Sequence, residues 1–242
     1  SANNQLNSIK MKITLFAATV LFTINLKAQT ADYIFKNVNI ITMKNDAVLK
    51  NPNVVIKDGR IVEIARKTKY TSKNIINTNG KYLLPSLADA HVHLPESDKE
   101  LEKVLKLNLI NGVTKLRSMR GNWEDIPRKE KYNTPTSYYP KLYISPPPIS
   151  RNHELTTQTM NEYVTTAKNY KFDFIKILSI KTPDMLKEFS EICKQNNIYI
   201  GGHYPDNPKG VRFSDEVVFS TNYKSIEHLG GLIGEPDRLE NR

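Results

Sequence analysis

Five nitrogen-bearing side chains have the types and spacing for chemistry: His91 and His93 in YLLPSLADAHVHL, Lys176 in FDFIKIL, His203 in IYIGGHY and His228 in SIEHLGG. On a β-strand, residues two apart share a face, so Asp89, His91 and His93 point one way and Ala90 and Val92 the other. Two imidazoles one pleat apart can grip a single cation, although they supply only half of a four-coordinate shell. The competing reading is a pair of core histidines satisfied by hydrogen bonds. Lys176 shares a strand face with Phe174 and Leu178. Burial there would lower its pKa, leaving a neutral amine. Such an amine captures carbon dioxide as a carbamate, an anionic oxygen ligand able to bridge two metals. The competing reading is a lysine that reaches water from a strand end. His203 and His228, taken singly, are ordinary histidines; what draws attention is position. Four of the five histidines, with Lys176, fall toward the carboxyl ends of expected strands, the face on which barrel enzymes build their sites.

The elements that must position these groups follow from the pattern around them. Residues 82–94 are short, apolar and entered at Pro85, which predicts a buried β-strand. Residues 96–112 predict an amphipathic helix with Leu101, Val104, Leu105 and Leu109 on one face and Gly112 as its stop. Strands are then expected at VTKLRSM, KLYISPPPIS, FDFIKIL, IYIGGHY and SIEHLGG, with helices near 156–170 and 183–196 and a helical stretch near 209–219. This alternation is the rhythm of a parallel α/β sheet closing into a barrel. The expected fold is therefore α/β, a (β/α)8 TIM-barrel type incomplete at about six βα units over residues 83–242. A small β-sandwich subdomain precedes it over residues 31–82. Asp58-Gly59 between two alternating apolar runs predicts a hairpin there.

Composition narrows the classes. With 242 residues, 39% of them hydrophobic, the chain can bury a core, which excludes disorder over most of its length. The net charge of +10 is spread without a basic run or nucleic-acid motif, so no nucleic-acid partner is expected. Cys193 is the single cysteine, which excludes an internal disulfide and a cysteine-based zinc site. Residues 1–10 precede Met11 and read as upstream sequence. The positive start at Lys12, the uncharged run Ile13 to Leu26 and the small residue Ala28 predict a signal peptide within residues 1–30, cut near Ala28 or Gln29. The run is too short for a stable membrane span. The expected location is therefore exported, periplasmic or secreted.

The ordered set KDGRIVEIA, LLPSLADAHVHL, GVTKLR, FIKIL, GGHY and SIEHLGG, over about Ala31 to Gly231, resembles the amidohydrolase superfamily. These metal-dependent hydrolases include dihydroorotase, urease, phosphotriesterase and imidazolonepropionase. The flavour is nearest the imidazolonepropionase-like and exported dipeptidase-like branches. The resemblance implies that His91 and His93 hold one metal, that His203 and His228 hold the other, and that Lys176, carbamylated by carbon dioxide, bridges them. It implies two divalent metal ions, zinc foremost, although the donor set also suits manganese, cobalt or iron. The expected reaction is hydrolysis of a C–N bond in a small-molecule amide, cyclic amide or dipeptide by metal-activated hydroxide. A homo-oligomer is compatible with this reading. His153 and Arg151 in SRNHELTT, and Tyr204 after His203, are candidates for contacting substrate.

The sequence also departs from the family. Ser86 stands where members carry a glycine, and Ser118 where they usually carry an acidic residue. The general-base aspartate of the last barrel strand would lie beyond Arg242, so no catalytic residue is assigned. The chain as given is expected to be C-terminally truncated and nearly inactive alone. The alternatives weighed are a non-catalytic relative that keeps the metal cage and a basic surface-binding protein.

Overall fold

A computed structural model describes residues 29–207 and 209–228. The expected signal peptide lies outside the described residues. The chain divides into two compact units with the boundary between Pro85 and Ser86.

The first unit is built of short strands: β1 (Tyr33–Lys36), β2 (Asn39–Ile41), β3 (Val48–Leu49), β4 (Asn53–Lys57), β5 (Arg60–Ala65), β6 (Ile75–Asn77) and β7 (Tyr82–Leu83). They form a four-stranded sheet in the order β5-β4-β1-β6 and a three-stranded sheet in the order β3-β2-β7. The predicted hairpin joins β4 to β5 in antiparallel register. Its turn residues Asp58 and Gly59 have φ of 51° and 68°, the left-handed pair that a two-residue hairpin loop requires. Small apolar clusters around Ile34 and Val55, and around Val38, Ile40 and Val54, fill the unit.

In the second unit the chain alternates strand and helix. The strands are β8 (Leu87–His93), β9 (Val113–Arg120), β10 (Lys141–Ile144), β11 (Phe174–Ile177), β12 (Tyr199–Gly202) and β13 (Tyr223–Ile226). The helices are α1 (Asp98–Ile110), α2 (Asp125–Tyr132), α3 (Thr157–Asn169), α4 (Pro183–Gln195) and α5 (Asp215–Phe219). Every ladder is parallel and joins neighbours in sequence, β8-β9-β10 and β11-β12-β13. The two sets are linked by a parallel bridge between Ile149 and Ile177 and by the Asp173 amide donating to the Ile144 carbonyl at 3.0 Å.

Alternation along the strands separates two environments. Ile175 and Ile177 of β11 and Ile200 of β12 belong to one large apolar cluster with Leu101 and Leu105 of α1, Val164 of α3 and Phe189 of α4. The opposite face of β11 carries Phe174 and Lys176. The Arg117 guanidinium, from β9, lies over the Phe174 ring at 5.4 Å and bonds Ser225 of β13 at 3.0 Å. The sheet must therefore curl so that side chains of β9, β11 and β13 meet inside it.

Helix starts follow their caps. Ser97, Thr156, Thr182 and Ser214 each accept from a backbone amide of the first turn, and Thr156 forms a capping box with Thr159. Gly112, at φ 79°, ends α1 as expected.

Three expectations change. β8 is not buried: Leu87 is 56% exposed, because β8 pairs only with β9 among the described residues and its other edge is uncovered. In α1, Leu101 and Leu105 are fully buried but Leu109 is 38% exposed, since its end of the helix meets less of the sheet. Helix α2 was not foreseen, because in DIPRKEKY charged residues interrupt any apolar stripe and only Asp125 and Tyr132 are buried, with Ile126 packed against the core in part. Among the described residues, no helix is long and apolar enough to cross a membrane.

Candidate metal centre

Strand ends bring four of the five histidines together. The rings of His91 and His93 are 5.4 Å apart between centroids, those of His203 and His228 5.2 Å, and those of His91 and His228 4.5 Å. Two glycines make this approach feasible on β12. A Cβ on Gly202 would lie 2.0 Å from the Ile177 carbonyl oxygen, and one on Gly201 would lie 2.5 Å from Ser225 Oγ. Bare backbone at both positions lets β11, β12 and β13 pack closely and lets the His203 amide donate to the Ile177 carbonyl at 3.0 Å. The Tyr223 hydroxyl then donates to the His203 carbonyl at 2.6 Å. His228 itself has φ 67°, a region uncommon for residues other than glycine, in which histidine is enriched.

Lys176 lies beside this group, 1% exposed, in a strand whose four residues are all buried. It does not reach water from a strand end. Burial lowers its pKa; the Glu227 carboxylate opposes that shift and the Arg117 guanidinium adds to it. His93 is lowered by burial and by the charges of His91, Arg120, Lys176 and His228. His203 is lowered by burial and by Lys176, His228 and His91, with Glu227 opposing. The shared causes are desolvation and the nearness of other cationic groups, both of which favour the neutral form.

One acidic side chain enters the cluster. Glu227, 7% exposed, places Oε2 2.8 Å from His91 Nδ1 and Oε1 2.6 Å from Arg117 Nη2 and 2.9 Å from Ser225 Oγ. Burial pushes its carboxyl up, but the bonds from His91 and Ser225 and the Arg117 charge outweigh that and hold it below the usual range. Sequence reasoning assigned no role to Glu227 or Arg117. The available signal was an arginine inside the expected strand VTKLRSM, since a cation drawn into a sheet needs an anionic partner.

The expected substrate-side residues fall differently. His153 Nδ1 stays with Ser150, and the residue lines a cleft of about 300 Å³ with Trp123, Glu154 and Tyr163. The Arg151 amide receives Ser179 Oγ as acceptor at 2.8 Å, and its charge lowers the carboxyl of Asp206 against a net rise caused by burial. Tyr204 is buried, donates to Asp215 and lies under Arg212 at 4.6 Å; burial and Asp215 push its hydroxyl up to about 12.

The cluster can be tested for its fit to metal ions. Among the described residues, no three His, Cys, Asp or Glu side chains are gathered on a common point at ligand distance. The ring spacings are nevertheless those of ligand pairs. A zinc–nitrogen bond of about 2.1 Å puts each ring centre about 3.2 Å from the ion, and a tetrahedral pair then has centres about 5.2 Å apart. His91 with His93 and His203 with His228 both match that figure. Neutral imidazoles and a buried amine with depressed pKa are also suitable donor chemistry.

Comparison with known proteins finds partial sequence relatives and structures of similar fold. No family model matches the chain. It is 45% identical over 64 residues to a 5'-deoxyadenosine deaminase of Methanosarcina acetivorans, covering 26% of this chain and 15% of that protein. It is 31% identical over 75 residues to a dihydroorotase of Bacillus cytotoxicus, covering 31% of this chain and 17% of that protein. Among solved structures, bottromycin amidohydrolase matches with a TM-score of 0.66 at 17% identity, over 84% of this chain and 44% of that one. A Xaa-Pro dipeptidase with bound methionine matches with a TM-score of 0.58 at 15% identity, over 72% and 57%. The fold is thus an α/β fold similar to these proteins. Over the segments and the fold matched, the chain is similar to proteins of the amidohydrolase superfamily. The matched segments span under a fifth of these two curated relatives, and the fold match spans about half of these two solved chains.

Proposed function

We propose that the protein is a metal-dependent hydrolase that cuts a C–N bond of an amide, a cyclic amide or a dipeptide. Its six parallel strands are read as six βα units of a (β/α)8 barrel whose carboxyl-end mouth carries the site. The observation that carries this reading is the gathering of His91, His93, His203 and His228 in two pairs at ligand spacing beside the buried Lys176. His91 and His93 would hold one divalent cation, and His203 and His228 a second. Lys176 would join them after its neutral amine attacks carbon dioxide, forming an N–C bond and releasing a proton to solvent. Divalent ions at such a site lower the pKa of water towards neutrality and polarise a scissile carbonyl.

The chain's own residues supply orientation and desolvation. Tyr223 holds the His203 backbone through its hydroxyl, and Gly201 and Gly202 keep the strands close enough for both histidine pairs to share one mouth. Burial of Lys176 keeps its amine nucleophilic, since a protonated ammonium cannot attack carbon dioxide. The names of the relatives, a deaminase, a dihydroorotase, an amidohydrolase and a dipeptidase, support a C–N bond as the target.

The experiment is a hydrolysis screen of the full-length protein against dipeptides, N-acyl amino acids and cyclic amides. It is run after metal loading, after chelation and after restoration with zinc or manganese. Turnover that disappears on chelation and returns with metal is expected. A metal-replete protein that cleaves none of these would instead favour a non-catalytic metal-binding relative.

A further inference from the structure

Among the described residues, His91 differs from the other clustered histidines in that one ring nitrogen is already committed. Its Nδ1 meets Glu227 Oε2 at 2.8 Å. A carboxylate accepts hydrogen bonds, so this contact favours a proton on Nδ1, and in the neutral ring that leaves the lone pair on Nε2. Glu227 in turn has both oxygens engaged, Oε1 by Arg117 and Ser225 and Oε2 by His91. Arg117 is located independently of Glu227. Its Nε donates to the Ala90 carbonyl at 2.8 Å, Nη1 bonds Ser225 Oγ at 3.0 Å, and the guanidinium lies over Phe174. The arginine thereby ties the residue just before His91 to β13, the strand that leads into Glu227.

We propose that Glu227 is a positioning residue that locks His91 as its Nδ1–H tautomer and turns Nε2 toward a divalent cation, with Arg117 and Ser225 holding Glu227 in place. The proposal rests on the metal-binding reading above and adds a specific donor atom to it. Ligating histidines commonly give their other N–H to a carboxylate, which fixes the ring and raises its basicity. Because both oxygens of Glu227 are occupied, its part is to orient the ring, not to carry protons to substrate.

The isosteric change Glu227→Gln separates this role from simple packing. Arg117 and Ser225 face the Oε1 position, so the amide oxygen must stay there and the NH2 must face His91. Nδ1 then has to accept and the proton moves to Nε2, the tautomer unable to ligate through that nitrogen.

The test is 15N NMR of the metal-free, histidine-labelled full-length protein, with His91 identified by its loss in His91→Gln, followed by zinc titration against a chelating dye. Wild type should show a protonated Nδ1 on His91. Glu227→Gln should invert the tautomer, keep its circular dichroism and bind zinc about 10- to 100-fold more weakly. A wild-type His91 protonated on Nε2 overturns the proposal, as does a Glu227→Gln variant with unchanged tautomer and unchanged zinc affinity. The wild-type spectrum needs no substitution, so it decides the matter even where a variant unfolds. The expected tautomer together with no zinc binding by wild type would overturn the metal reading itself, and with it the purpose assigned to Glu227.

Discussion

Lys176 lies in β11 and is 1% exposed. Taking a polar group out of water costs stability, on the order of 1 to 3 kcal/mol where the loss is not compensated. Its retention in the sheet therefore needs a purpose other than folding. Lys176→Met keeps length and apolar stem while removing the amine. It should leave the urea unfolding midpoint unchanged or raise it by about 1 to 3 kcal/mol equivalent, and should lower the metal content of the purified protein. A variant that loses several kcal/mol yet retains its metal contradicts the assignment. The five nitrogen groups were legible in the sequence because residue type and strand-end position are local properties. Glu227 and Arg117 were not legible as a pair, because their contact spans 110 residues and exists only once the sheet curls. For Lys176 the sequence left burial and snorkelling open, and only the packing of β10, β11 and β12 decides between them.

At the scale of elements, the β11–β12 seam controls the site. The Gly202 backbone, at φ 155°, faces the Ile177 carbonyl so closely that a methyl group would lie 2.0 Å from its oxygen. That oxygen is main chain and cannot swing aside. Gly202→Ala should therefore destabilise the protein by about 1 to 3 kcal/mol or more, read from the urea midpoint, because overpacking forces the strands apart. An unchanged midpoint would show that the seam is looser than the contact implies. Strand and helix positions were mostly legible here, since four helices begin at Ser or Thr caps and the β12 glycines stand out in IYIGGHY. Two features were hidden. Helix α2 lacks an apolar stripe, and β8 reads as a buried run because its residues are apolar, although the described fold covers only one of its edges.

At the scale of the molecule, the first unit holds strands and small apolar clusters, while the large core and the histidine cluster belong to the second. The curl of the second unit's sheet gathers five distant sequence positions into one cluster of side chains, the proposed site. The central claim is that this site holds divalent cations. Crystals of the full-length protein grown with zinc, with diffraction recorded on both sides of the zinc absorption edge, test it most directly. The account predicts two anomalous peaks, one beside His91 and His93 and the other beside His203 and His228, with Lys176 between them. Zinc bound only at the surface, with both histidine pairs empty, would contradict it.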